Sequence, residues 1–163
     1  MHIPLEDIVK RTLIAAAGAL ILCAGSALAS DAHNHKAVQP ETLKWVAPAA
    51  YAKGAQFTVV TGDPSKEGFY VVRLKVPAGF RIAPHTHPND ENVTVLSGTF
   101  GIGTGTTFDE KKGSAVKAGG YAFVAKGMQH FAWFPEETVI QLHGMGPQGI
   151  TYVNAADDPR KTN

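Results

Sequence analysis

The chain has 163 residues, 44% of them hydrophobic and 18% charged, with 15 Lys+Arg against 14 Asp+Glu and a formal net charge of +1. That balance provides no field to draw nucleic acid or an acidic lipid surface, and the length suits one small domain rather than two. The lone cysteine, Cys23, excludes an intramolecular disulfide framework.

Residues 1–29 read as an export signal. Lys10 and Arg11 precede the apolar run TLIAAAGALILCAG, and Ala27-Leu28-Ala29 offers a small-x-small cleavage site. The run is short for a membrane span, and Leu22 is too bulky for a lipoprotein cleavage site at Cys23. Cleavage removes Glu6, Asp7, Lys10 and Arg11 together with the only thiol, so the net charge is unchanged. Chemistry in the mature chain must then come from histidine, carboxylate or metal. The expected location is periplasmic or secreted, with no membrane or nucleic-acid partner. KRTLIA is no clear twin-arginine signal, so export of an unfolded chain is expected, with any site filled outside the cytoplasm.

Residues 30–53 carry Ala, Pro and polar residues with little periodicity and read as an amino-terminal arm, in which Leu43 and Trp45 could cover one side of the domain. His33 and His35 fall in this arm. A cut shifted by one residue would expose Asp31-Ala32-His33, a square-planar Cu(II) or Ni(II) binder, although a disordered polar arm is the simpler account. Over residues 54–154, short β-rich runs alternate with Gly, Pro, Asp and Lys clusters: QFTVV, FYVVRLKV, ENVTVLSG, TFGIG, YAFVA, HFAWF, TVIQLHG and GITYV. Many short strands at this spacing predict an all-β domain, a double-sheet sandwich or barrel. Residues 155–163 are charged and read as a surface tail.

Period-2 parity sorts the faces of these strands. In ENVTVLS, Glu91 shares a side with Val93 and Val95, which turns its carboxylate inward. His85 and His87 stand two apart between Pro84 and Pro88, so both rings emerge on one face while Thr86 points away. An inward carboxylate beside two inward imidazoles costs several kcal/mol unless something compensates it, and a divalent cation would.

Spacing gives more. Gly79, His85, His87, Glu91 and Gly98 follow the order Gly, five residues, His-x-His, three residues, Glu, six residues, Gly; GGYAFVAKGMQHFAWF supplies Gly119, Gly127 and His130, with Ala125 where a proline and Phe134 where an asparagine would complete a second motif. In these two motifs, in this order, the chain resembles the cupin family from about Phe57 to Val153. The resemblance implies a small double-sheet β-barrel of cupin or jelly-roll type with one divalent metal bound by His85, His87, Glu91 and His130. Neither departure touches a ligand, but Phe134 makes the surroundings of His130 more apolar. Three imidazoles and one carboxylate suit Fe, Mn, Cu, Ni or Zn without selecting among them, and leave two positions open on a six-coordinate ion. The plainer alternative is two turn histidines, a loop-capping glutamate and a backbone-bonded His130.

Phe134, Met128, Phe123 and Arg81 are the candidates for a substrate pocket, Arg81 through a reach over the barrel mouth to an anion. Parity separates Phe131 and Trp133 from His130, Ala132 and Phe134, and it places His143 outside if Ile140 and Leu142 face the core. The sequence leans toward a small metal-dependent oxidoreductase of dioxygenase type acting on a small oxygen-rich molecule, because no dedicated base stands beside the ligands. A binding cupin without turnover and a metal-dependent isomerase or lyase are the alternatives. Self-association as a homodimer stays open.

Overall fold

The structure is a computed structural model that describes residues 35–161. The export signal, its cleavage site and His33 lie outside the described residues; His35 is exposed. None of the helices among the described residues is long and apolar enough to cross a membrane.

Ten strands follow in chain order: β1 (Gln56–Thr61), β2 (Gly68–Val76), β3 (Phe80–Thr86), β4 (Glu91–Ser97), β5 (Thr99–Thr104), β6 (Gly113–Lys117), β7 (Tyr121–Val124), β8 (His130–Phe134), β9 (Thr138–Gly146) and β10 (Thr151–Tyr152). They form two antiparallel five-stranded sheets, ordered β1-β2-β9-β4-β7 and β10-β3-β8-β5-β6. The expected all-β double-sheet architecture is present, and the sheets face each other as two separate ladders rather than closing into one.

The core lies between them. Val72, Leu74, Val76, Val93, Val95, Ile140 and Leu142 come from the first sheet; Phe80, Ile82, Phe100, Ala132, Phe134 and Tyr152 come from the second. β2 shows why: Tyr70, Val72, Leu74 and Val76 are buried while the intervening residues are not, the alternation of a sheet with one face on the core and one toward water. On β4 the inward set is Glu91, Val93 and Val95, and Leu96 is exposed.

One strand, β6, escaped the sequence reading, and β3 carries an irregularity that parity alone does not reveal. β6 is short, half exposed and only weakly apolar. β3 contains Pro84, which breaks the ladder: Ile82 pairs with Ala132, yet His85 pairs with His130, so β3 carries one extra residue at Ala83 and Pro84. This β-bulge sits where proline cannot donate to the neighbouring strand. Ile82 and His85 are an odd number apart and would face opposite ways on a regular strand; the bulge turns both inward.

β8 is buried along its whole length. His130, Ala132 and Phe134 face the core. Phe131 and Trp133 lie on the other face against Phe108, at ring distances of 4.9 and 6.5 Å. They fit because Gly101, Gly103 and Gly113 lie beneath them, where any Cβ would collide with the Phe131 or Trp133 rings.

The arm and tail are more anchored than composition alone suggested. Val46 and Phe57 exchange two backbone hydrogen bonds, 2.9 and 2.8 Å, that lay the arm along β1. Tyr152 donates its hydroxyl to the Ala50 carbonyl at 2.9 Å. In the tail Asp158 is buried, and Arg160 grips it through Nε at 2.7 Å while reaching the Ile150 carbonyl at 3.1 Å.

Candidate metal centre

His85 and His130 are direct partners across β3 and β8, so their rings stand 4.1 Å apart. His87 follows two residues later on the same face, 4.9 Å from His85 and 5.1 Å from His130. The loop carrying the second motif is fixed to the first: the Gly127 amide donates to the His87 carbonyl at 3.0 Å, and the Lys126 amide donates to Asp90 at 2.7 Å. Gly127 has φ +73, a left-handed conformation in which glycine avoids the Cβ clash. Gly98 has φ +75 and a further constraint, since a Cβ there would press on the Glu137 carbonyl and Thr138.

All four proposed donors are buried, with His85, His87, Glu91 and His130 at 3, 5, 7 and 2% exposure. Four buried polar side chains in one spot require compensation. Backbone supplies part of it. The Nδ1 atoms of His85, His87 and His130 meet the carbonyls of Ala83, Gly149 and Met128 at 2.8, 2.6 and 3.0 Å. A carbonyl only accepts, so each Nδ1 carries a proton; the lowered His85 and His130 are neutral and present an Nε2 lone pair inward, as His87 does when it is neutral. One ligand nitrogen from each of the three rings lies within 4.8 Å of the others. Backbone bonds that fix the tautomer in this way are what metal-binding histidines require.

Glu91, expected as a fourth donor, approaches from the opposite sheet beside the cluster of ligand atoms, which the three histidines form. Its Oε2 lies 3.4 Å from His87 Nε2. The Gly149 carbonyl and the Glu91 carboxylate both only accept, so His87 satisfies both as an imidazolium; as a neutral ring, its Nε2 proton lost to solvent, it would offer the Nε2 lone pair to a cation beside Glu91. The electrostatics follow this geometry. Burial holds the His85 imidazole down at about 2, aided by His130 and His87. Burial likewise lowers His130. At His87 burial works downward, but the Glu91 hydrogen bond and charge and the Gly149 carbonyl carry it above its ordinary value. The donor set fits a divalent transition ion and does not choose among Fe, Mn, Cu, Ni and Zn.

The chamber at these donors is about 20 Å³ and is walled by apolar side chains including Leu74, Ile82, Phe100 and Leu142. Tyr51 closes it from the arm. Burial, with the Glu91 charge adding, pushes the Tyr51 phenol far up and keeps it protonated. Sequence reading missed Tyr51, because its segment has no periodicity and its tether, the Tyr152–Ala50 hydrogen bond, joins residues 102 apart.

The four pocket candidates scatter. Phe134 is fully buried in the core with Phe80 and Phe100 at 6.1 and 5.6 Å, deeper than the chamber wall. Met128 contributes its carbonyl to His130. Phe123 is half exposed on the outer face of the first sheet, opposite Asn92. Arg81 is corrected most clearly: it lies on the outer face of β3, pairs with Glu110 at 2.8 Å and covers the Phe108 ring at 5.0 Å. Its neighbour Phe80 faces the core, so Arg81 must face away. His143 is likewise on an outer face, across from Asn92.

The sequence matches the ChrR cupin-like domain family over residues 33–148. No curated protein sequence matches the chain. Similar solved structures include the polyketide cyclase RemF from Streptomyces resistomycificus (18% identity, 78% of this chain and 92% of that one, TM-score 0.64). An acetylacetone dioxygenase from Acinetobacter johnsonii aligns at 18% identity over 78% and 82%, TM-score 0.57. An RmlC-like cupin from Shewanella frigidimarina aligns at 14% over 69% and 91%, TM-score 0.54. At these identities the likeness is one of fold.

Proposed function

The chain belongs to the ChrR cupin-like domain family, and from that premise we propose that it is an exported, metal-dependent oxidoreductase of dioxygenase type acting on a small oxygen-bearing molecule. The observation that carries the reading is the triple Nδ1–carbonyl arrangement at His85, His87 and His130, which leaves Nε2 of each ring for a ligand, in a cluster whose ligand atoms lie within 4.8 Å of one another beside Glu91. When bound, a divalent transition ion supplies Lewis acidity and, where redox-active, electron transfer with dioxygen.

The residues of the chain do the rest. His85, His87 and His130 hold neutral donors in fixed orientation, and Glu91 offsets the charge of the cation. Leu74, Ile82, Phe100 and Leu142 surround the donors with apolar side chains, which strengthens every electrostatic interaction inside. Tyr51, kept protonated, offers a hydrogen-bond donor and no base. No side chain of the chamber other than the donors is poised to take a proton from carbon, so oxygen chemistry is favoured over isomerase or lyase chemistry.

One observation favours a second reading. A chamber of about 20 Å³ holds an ion and little more, as a protein that binds metal without turnover would need.

Elemental analysis of protein purified from its own compartment, without chelator or affinity tag, tests the proposal beside a His87→Ala variant. Near-stoichiometric Fe, Mn, Cu or Ni that is lost in the variant, with oxygen uptake on adding acetylacetone, the substrate named for one structural neighbour, or another small oxygen-bearing compound, supports the dioxygenase. Metal without oxygen uptake across such a panel supports the binding role. No metal in either protein overturns both.

A further inference from the structure

Tyr51 is a wall of two spaces. On one side is the chamber of about 20 Å³ that holds the three histidines and Glu91. On the other is a cavity of about 240 Å³ lined by Pro48, Ala50, Phe57, Ile150 and Arg160. A water needs roughly 10–15 Å³, so the inner chamber takes an ion with a water-sized companion and no organic molecule. The outer cavity approaches the roughly 300–1,000 Å³ of ordinary small-ligand sites.

The two spaces also share backbone. Gly149 lines the outer cavity, and its carbonyl takes the His87 Nδ1 proton at 2.6 Å. Tyr51 is held in place indirectly, by the Tyr152 hydroxyl on the Ala50 carbonyl and by its own amide on the Pro48 carbonyl at 3.3 Å. Among the described residues that line the outer cavity, Arg160 alone carries a formal charge, and Asp158 neutralises it through contacts of 2.7 and 2.9 Å. A polyanion finds no unpaired cation there. The remaining lining is apolar apart from Gln148 and the backbone.

We infer that the outer cavity binds the organic body of the ligand, a small neutral molecule with an apolar body and one oxygen-bearing end, and that Tyr51 is the partition this ligand displaces to reach the metal donors. The second half of this inference rests on the metal reading; the first half stands without it. Tyr51 is then a specificity-determining residue: it sets what passes from a room for carbon into a room for an ion.

The test uses the full chain with acetophenone as a neutral probe and benzoate as its size-matched anion, followed by NMR with and without zinc. Acetophenone should shift the Ile150 methyl and Gly149 amide signals, and benzoate should bind at least tenfold more weakly. Ala50→Leu fills the outer cavity and should weaken acetophenone binding tenfold or more while zinc uptake stays as in the parent. Tyr51→Ala should tighten binding and extend the shifts to the His85 and His130 rings. Equal binding of the two probes, no binding of either, or indifference to Ala50→Leu overturns the cavity assignment. Weaker binding in Tyr51→Ala overturns the partition. The probe comparison on the parent needs no variant to fold. If the parent takes up no zinc, the metal reading falls, and the Ile150 and Gly149 shifts still decide the cavity.

Discussion

His87 Nε2 and Glu91 Oε2 lie 3.4 Å apart, both buried, although they belong to opposite sides of the domain. Three residues carry the chain across, so a negative charge from one sheet is placed against the imidazole group of the other.

Glu91→Gln keeps the shape of that contact and removes its charge. Divalent metal affinity should fall at least about tenfold, the lower end of the range for a lost carboxylate partner at a metal site. A chelator competition titration measures it, and an unchanged affinity would remove Glu91 from the donor set.

Acid should destabilise the metal-free protein. Unfolded histidine titrates near 6.5. Burial holds folded His85 down at about 2 and lowers His130, so below pH 6.5 the unfolded chain takes up protons that the folded chain does not, and stability falls with pH. His87, raised in the folded state, has the opposite sign: its contribution is present below 6.5 and is lost as pH rises. Below 6.5 His87 is protonated in both states and adds no slope, so His85 and His130 set the trend, each proton that they fail to take up corresponding to about 1.4 kcal/mol per pH unit. Urea midpoints in chelator from pH 8 to 4 should decline, and more gently in His85→Gln.

Gly101→Ala should cost about 1–3 kcal/mol or more, because the new methyl would enter the Trp133 indole and overpacking strains a filled core. Urea unfolding reads the loss directly. Wild-type stability in this variant would mean that Trp133 does not rest on β5.

Tyr152→Phe removes the donor to the Ala50 carbonyl and should cost about 1 kcal/mol. Hydrogen exchange should quicken at residues 46–55 ahead of β3 and β8. Uniform acceleration across the domain would show instead that the arm is not separately tethered.

Much of this was legible in the chain because it depends on local parity. Alternation on β4 turns Glu91 inward with Val93 and Val95, and His-x-His puts two rings on one face whatever the strand around them does. Ile82 shows the limit: it shares the core with His85 only because Pro84 forces a bulge against β8, and a bulge is a property of two strands together. Arg81, expected to reach over the barrel mouth, is instead held on the outer face by Phe108 and Glu110, residues far along the chain that no local pattern links to it. Tyr51 gave no signal at all, for its position is set by contacts with β10 and the tail that no window of sequence contains.

The packing of Phe131 and Trp133 on Gly101, Gly103 and Gly113 has a mechanical consequence. The sheet bearing His85 and His130 is gripped by side chains on both faces, whereas the sheet bearing Glu91 leaves Phe69, Tyr121, Phe123 and Met145 exposed on its outer face. The histidine-bearing sheet is thus packed on both faces and the Glu91-bearing sheet on one, so if ions of different radius were bound, Glu91 is the group expected to shift while the three rings keep their spacing.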